Sequence, residues 1–474
     1  MIFIKKIFFV FLIFTHIVWA NNLPDLGDYS DQYLTPYQEN MIARQILYQV
    51  HSSPEVIKDE EINDYLNFLG EKLVFQSDSP QRDFTFFVLQ DDSINAFAML
   101  GGLIGVHTGL FIAATNESEI ASVLGHEIAH VTQKHLQRVV AKQDRDKYKS
   151  IFLLAIGLLA ARSNPQVASG AMVASQAMNV QNFLDYTREH EQEADRIGID
   201  ILYRSGYNVG SAIDFFNTLQ KGNRFSAPAP SFLRTHPITS DRISDINNRL
   251  KEYPYRYINK DNYFHLIRGK IRALYSRDSS AKIFENNIKN KTYLDLEGEK
   301  FALAHAYLKD DELKKAESVY SELEDKKNPL IENLKIQLLI KKNNLSQAKR
   351  ELEQMLIKHP FYRAFVYGLG EVNINLGRYE AAKDSIQQYI FKYKSDPNLY
   401  KLLAKSFKGL GKDLEYHENM GEYFYYQFNI KEAIIQFGIA KKIKSDDFYA
   451  KSRVEARLKQ LQSEQLFLEE GRKK

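Results

Sequence analysis

No cysteine occurs among the 474 residues. That absence excludes disulfide staples, thiol nucleophiles, a lipid-modified N-terminal cysteine and any cysteine-ligated metal, so a metal here must be held by His, Asp or Glu. A surplus of one charge is also missing: 63 Lys and Arg face 60 Asp and Glu, leaving +3. Such a balance produces no strong positive field, which argues against a nucleic-acid partner. After the first twenty residues no apolar run is long enough to span a bilayer; Ile151 to Ala161 falls well short of the ~20 residues required. The remainder is ordinary globular material, 44% hydrophobic and 26% charged, and its length suits two or three domains.

The chain starts with a different texture. Lys5 and Lys6 precede an almost wholly apolar stretch from Ile7 to Val18, and Val18-Trp19-Ala20 ends in a small residue. This pattern predicts a cleaved secretory signal over residues 1–20 rather than an anchor, hence an exported protein and, in a two-membrane bacterium, the periplasm. From Asn21 to about Pro254 helical and strand patterns alternate. Leu34 to Val50 and Val56 to Phe75 carry helical spacing, whereas Phe84 to Leu89 and Ile94 to Met99 have strand length. Gly101, Gly102 and Gly105 then punctuate the chain. Asn116, with Glu119 three residues on, predicts a capped helix whose buried face is Ile120, Val123, Leu124, Ile128 and Val131.

From Tyr255 onward strand patterns vanish and helical hairpins recur. Small residues paired with aromatics at the spacing of a 34-residue tetratricopeptide unit appear at Ala304, Tyr307, Ala316 and Tyr320. They recur around Ala348 and Pro360, around Gly370, Ala382 and Ile386, and around Ala404 and Phe407. Another set is Gly421, Phe424, Ala433, Phe437 and Ala440, with a slip in spacing just before it. Small residues let antiparallel helices approach, and aromatics fill the gap between hairpins. The array is expected to be an α-solenoid over residues 255–474, whose concave face is either structural or peptide-binding.

The strongest chemical signal is His126-Glu127-Ile128-Ala129-His130. On a helix the two histidines share a face and can reach one zinc ion, with Glu127 beside them to take a proton from water. Two surface histidines on a chance helix are the bland alternative. His135 does not complete the longer three-histidine pattern, because Gln133 and Leu136 stand where it needs Gly and His. A third ligand is better sought in Glu191-Gln192-Glu193-Ala194-Asp195-Arg196. Glu191 and Asp195 share a helical face, so Glu191 can ligate while Asp195 accepts a histidine N–H or acts toward substrate. Helical phase turns Glu193 away and predicts that Glu193→Gln stays near wild type.

The set His-Glu-x-x-His, Glu191 with Asp195, and His236-Pro237 resembles the zinc endopeptidases typified by the CAAX prenyl protease and HtpX. Its most specific stretches are Asn95 to Ala98, Leu124 to Glu127, Glu191 to Gly198 and Thr235 to Pro237. The resemblance implies an α+β, mostly helical zincin-type domain (residues 21–254) ahead of the repeats. It implies one zinc per chain held by His126, His130 and Glu191, with Glu127 as acid/base and Asp195 as a second acidic catalytic residue. An exported form with tetratricopeptide repeats resembles the branch concerned with outer-membrane β-barrel proteins. Expected partners are therefore unfolded or stalled outer-membrane proteins and, through the repeats, the β-barrel assembly machinery. A scaffold or chaperone with a silent site, or a structural zinc, are the competing readings.

His236 is expected on a loop after the turn-rich Ala227 to Ser231. There it occupies a fourth zinc position and keeps the enzyme latent, or stabilises the tetrahedral intermediate with Arg242 adding charge, or is a loop histidine that merely accompanies Pro237. Asn95 to Met99 is either an edge strand that pairs with substrate or an ordinary core strand. The Ala-, Gly- and Ser-rich run from Ile151 to Asn182 suggests buried helices, ahead of a lid over the cleft or a surface that meets membrane. His107, His190 and His265 show no partner pattern.

Overall fold

The computed structural model describes residues 35–141, 188–225, 231–254 and 262–473. The expected signal, the run from Ile151 to Asn182 and most of the stretch before Ser231 lie outside them. The described chain is mostly helical with one small sheet, and the protease-like part precedes an all-helical array.

Thr35 caps α1 (Pro36–Ser52) through a reciprocal bond with Gln38, and Asp59 caps α2 (Glu60–Val74). Next come three strands, β1 (Thr85–Leu89), β2 (Ala96–Met99) and β3 (Leu103–His107), in the order β1-β3-β2. β1 runs parallel to β3 with Thr85 opposite Leu103; β2 runs antiparallel with Ala96 opposite Val106. Gly101 and Gly102, both at positive φ, turn the chain between β2 and β3, a backbone region glycine enters without a Cβ clash.

Strand alternation divides the core. Phe86, Val88, Ile104, Val106 and Ala96 face α2 and the central helix, whereas Phe87, Leu89, Phe97 and Met99 face α1 through Ile42, Ala43 and Ile46. α3 (Thr108–Ala113) leads into that central helix, α4 (Glu117–Thr132). As expected, Asn116 caps α4 by accepting from the Glu119 N–H. The Glu119 carboxylate reaches back one residue further, to the Thr115 N–H and hydroxyl. α5 (His135–Ala141), α6 (Arg188–Arg204), α7 (Ser211–Phe225), the one-turn α8 (Ser231–Thr235) and α9 (Ser240–Leu250) complete this part.

The array runs α10 (Asn262–Tyr275), α11 (Ala281–Asn290), α12 (Leu296–Lys309), α13 (Leu313–Ser321), α14 (Pro329–Lys341), α15 (Leu345–Lys358), α16 (Arg363–Asn375), α17 (Tyr379–Ile390), α18 (Pro397–Gly409), α19 (Asp413–Tyr426), α20 (Ile430–Lys442) and α21 (Phe448–Lys473). Ala304, Ala316, Ala348, Ala382, Ala404 and Ala433 are fully buried at the helix contacts the repeat pattern assigns them. The slip in spacing falls at α19, which packs against both α18 and α20.

The two parts share one hydrophobic cluster, continuous from Ile57 through Phe264 and Phe301 to Leu338. A buried charge network locks them further. The Lys270 ammonium on α10 donates to Glu61 at 2.5 Å and to Asp59 at 2.7 Å, both at the start of α2. Asn333 on α14 and Tyr362 before α16 donate to the other Glu61 oxygen. At its far end the array returns to the first helix: Arg44 pairs with Glu464 at 2.6 Å, and Tyr37 meets Phe467 edge-on.

Removing the cation from this network leaves Glu61 and Asp59 facing each other in a buried site. Lys270→Met is therefore expected to lower stability by about 3–5 kcal/mol, read from the urea midpoint of far-UV circular dichroism. A change below about 0.5 kcal/mol would show that the network does not hold the two parts.

Candidate metal centre

α6 lies along α4, and two glycines set the distance. A Cβ on Gly125 would stand 3.0 Å from the Gly198 carbonyl oxygen, and one on Gly198 would stand 3.0 Å from the His126 backbone nitrogen. Only bare backbone permits this approach. It brings one face of α4, carrying His126 and His130, against the face of α6 that carries Glu191 and Asp195.

The two imidazoles meet Nε2 to Nε2 at 2.9 Å. Glu191 offers Oε2 to His126 at 3.5 Å and Oε1 to His130 at 3.4 Å. His236 joins them: its Nδ1 lies 3.0 Å from Glu191 Oε1 and 3.4 Å from His126 Nε2. One donor atom from each of His126, His130, Glu191 and His236 falls within 4.8 Å of the others, and all four residues are buried. Tetrahedral zinc with bonds of 2.0–2.1 Å spaces its ligand atoms by about 3.3 Å, so this cluster has the size and the donor chemistry of a metal site.

Electrostatics agree. Burial opposes a positive charge on His126, but hydrogen bonds and charge from Asp195 and Glu191 outweigh it and push the ring up to about 10. Burial likewise works against an ionised Glu191, yet His236, His126 and His130 hold it well below the usual carboxylate range. The site's field favours a cation. Burial dominates at Glu127 and raises its carboxyl, partly offset by His236 and His126. Neither Glu127 oxygen has a hydrogen bond of good geometry, and His236 Nε2 is 3.5 Å away.

Asp195 is buried and paired on both sides. Its Oδ1 accepts from His126 Nδ1 at 3.0 Å, and the buried Arg242 guanidinium grips both its oxygens at 2.7 and 2.8 Å. Burial notwithstanding, those partners keep it below its ordinary range. Arg242 also contacts Glu191 at 2.8 Å and donates to the Pro237 carbonyl at 2.8 Å. His236 sits directly after α8. The Phe232 ring stacks on it at 4.7 Å, and the Phe232 N–H donates to the Ile94 carbonyl, which ties α8 to the residues leading into β2.

Sequence reasoning finds in His135 only a failed third ligand and in His190 no pattern at all. Both are buried: His135 lies against His130, and His190 stacks on His135. Their spacing carries no helical signal, because His135 reaches His130 only across a break in the helix. His107 is buried elsewhere, its Nδ1 2.9 Å from the Ser93 hydroxyl, and His265 is half-buried in α10.

A histidine pair on α4, opposed by a carboxylate and a second acidic residue on α6, is the donor set a metallopeptidase centre requires. Residues 60–250 match peptidase family M48, and residues 339–406 match the tetratricopeptide repeat. A Vibrio cholerae relative provisionally named a beta-barrel assembly-enhancing protease is 32% identical over 93% of this chain and 92% of its own. The Escherichia coli K12 protein of that name is 35% identical, with the match spanning 54% of this chain and 53% of the relative. A Yersinia pestis relative of the same name is 29% identical over 81% and 80%. The chain belongs to peptidase family M48 and is a metalloendopeptidase with a tetratricopeptide array.

The Gly125–Gly198 contact leads to an expected outcome. Gly198→Val drives backbone from backbone and moves His126 away from Glu191, so metal affinity should fall about tenfold or more, measured by competition with a chromophoric chelator. Unchanged affinity would mean the helices tolerate separation without cost to the site.

Proposed function

We propose that the protein is a zinc endopeptidase of the bacterial periplasm that acts in the assembly and quality control of outer-membrane β-barrel proteins. The observation that carries the catalytic part is the convergence of His126, His130, Glu191 and His236 on one buried point beside Glu127. The names of the relatives support the β-barrel role. Lys5, Lys6 and the apolar stretch to Val18 support export, and no described helix is long and apolar enough to cross a membrane.

His126, His130 and Glu191 would hold the zinc, which would supply Lewis acidity toward a water and a scissile carbonyl. Glu127 takes the proton of the attacking water on a carboxylate oxygen and delivers it to the leaving amine; a carboxyl raised by burial suits both halves of that transfer. β2 is the edge of the sheet and packs beside α4, so it can add an extended peptide as a further strand. Asp195, paired with Arg242 and His126, fits an orienting role better than proton donation. Arg242, engaged by Asp195, Glu191 and Pro237, holds those carboxylates rather than a transition state.

His236 supports a latent resting form. Its Nδ1 faces Glu191 and His126, its Nε2 faces Glu127, and Phe232 fixes it there. A ligand in the fourth position closes the coordination shell and excludes the water. The array, a protein-interaction module, is the proposed dock for unfolded substrates or the assembly machinery. A chaperone that works with the site closed is the second reading, favoured by the same placement of His236.

Two substitutions, compared with wild type, separate the possibilities. Wild type should bind about one zinc per chain, and Glu127→Gln should retain it while peptide cleavage falls by about 10²–10⁴. Retained cleavage would remove Glu127 from the mechanism, whereas lost cleavage with retained rescue of outer-membrane assembly would favour the chaperone reading. His236→Ala should raise peptidase activity with zinc retained; reduced activity would assign His236 to transition-state stabilisation instead.

A further inference from the structure

α4 ends at Thr132, and α5 begins at His135. In an unbroken helix, residues five apart point about 140° away from each other, and His130 and His135 would not meet. Lys134 breaks the helix with φ at +53°, a left-handed conformation that a non-glycine residue adopts only at a cost. The break brings His135 Nδ1 to 2.9 Å from His130 Nδ1. The His135 ring is fully buried and lies flat on His190, with centroids 4.4 Å apart and planes 14° from parallel. Its other nitrogen, Nε2, lies 3.0 Å from Glu193 Oε2, which Arg138 meets from the far side at 3.1 Å.

The outer end of this chain of groups favours one assignment of hydrogen-bond roles. Ionised Glu193 only accepts, so His135 carries its hydrogen on Nε2. Its Nδ1 is then a lone pair and accepts from His130 Nδ1–H, which leaves the His130 Nε2 lone pair aimed into the cluster. His126 is oriented in the same sense by Asp195. We propose that His135 and Glu193 form a positioning relay that fixes the ring and tautomer of His130 as a metal ligand. The relay rests on the metallopeptidase reading and reverses the expectation that Glu193 is dispensable. Three carboxylates of α6 then serve the centre, Glu191 directly, Asp195 through His126, and Glu193 through His135.

The test compares zinc affinity, the visible spectrum of the cobalt-substituted protein, and the melting temperature after chelation. His135→Phe keeps a flat ring against His190 and removes both nitrogens. His135→Asn places an amide oxygen near the lost Nδ1. Expected for His135→Phe is a 10–100-fold loss of zinc affinity with a shifted cobalt spectrum and an unchanged melting temperature in the chelated protein. His135→Asn should recover most of the affinity, and Glu193→Gln should lose about tenfold. Wild-type affinity in His135→Phe, or no recovery in His135→Asn, overturns the relay. Should the Phe variant fail to fold, Glu193→Gln decides, because its side chain is 37% exposed and unchanged affinity there overturns the proposal equally. A wild-type protein that binds no zinc would instead sink the metal-centre reading itself.

Discussion

Two helices touch backbone to backbone at Gly125 and Gly198, and the meeting of His126 and His130 with Glu191 and Asp195 depends on that contact. A side chain at either position would separate α4 and α6, and the imidazoles would no longer reach Glu191. Around the crossing the fit is supported on several sides. Ile120, Val123, Leu124 and Ile128 anchor α4 in the same cluster as Ile199, Ile201 and Leu202 of α6, so displacing the centre requires disrupting the core. Preorganisation of this kind lets ligands meet a metal without reordering at the moment of binding.

Burying this much charge is costly unless it is paired. Glu191, Asp195 and Glu127 lie together among fully buried groups, with Arg242 as a cation in their midst. Arg242 comes from α9 and His236 from the turn before it, so one short segment supplies both a counter-charge and the candidate fourth ligand. That segment is tied by Phe232 to Ile94, just before the edge strand β2.

Much of the centre was legible in the sequence because helical periodicity encodes it. His126 with His130, and Glu191 with Asp195, are four apart, and a shared helical face is what that spacing means. The Asn116 cap and the apolar face of α4 were legible for the same reason, and β1 and β2 were legible to within two residues, but the central strand β3 was not, because Gly101, Gly102 and Gly105 read only as punctuation. His135 and Glu193 were not. Their partnership depends on a left-handed Lys134, and a lysine gives no sign of that conformation, unlike the glycines at 101 and 102. The network around Glu61 was equally hidden: Lys270 and Asn333 come from helices more than two hundred residues away, and local pattern carries no information about such pairs. The division at residues 254 and 255 was read from a change of texture, yet the hydrophobic cluster runs through it from Ile57 to Leu338.

That continuity has a functional consequence. The array is joined to the start of α2 by buried ion pairs and returns to α1 through Arg44 and Glu464, so whatever docks on it acts on the body that holds the metal centre. The most direct test of the whole account is zinc-edge X-ray absorption on the zinc-loaded protein. Scattering from imidazole rings with nearest-neighbour bonds of about 2.0–2.1 Å, together with a carboxylate oxygen, is the result expected from His126, His130, Glu191 and His236. A shell of oxygen atoms alone, without imidazole, would place the metal elsewhere and contradict the account.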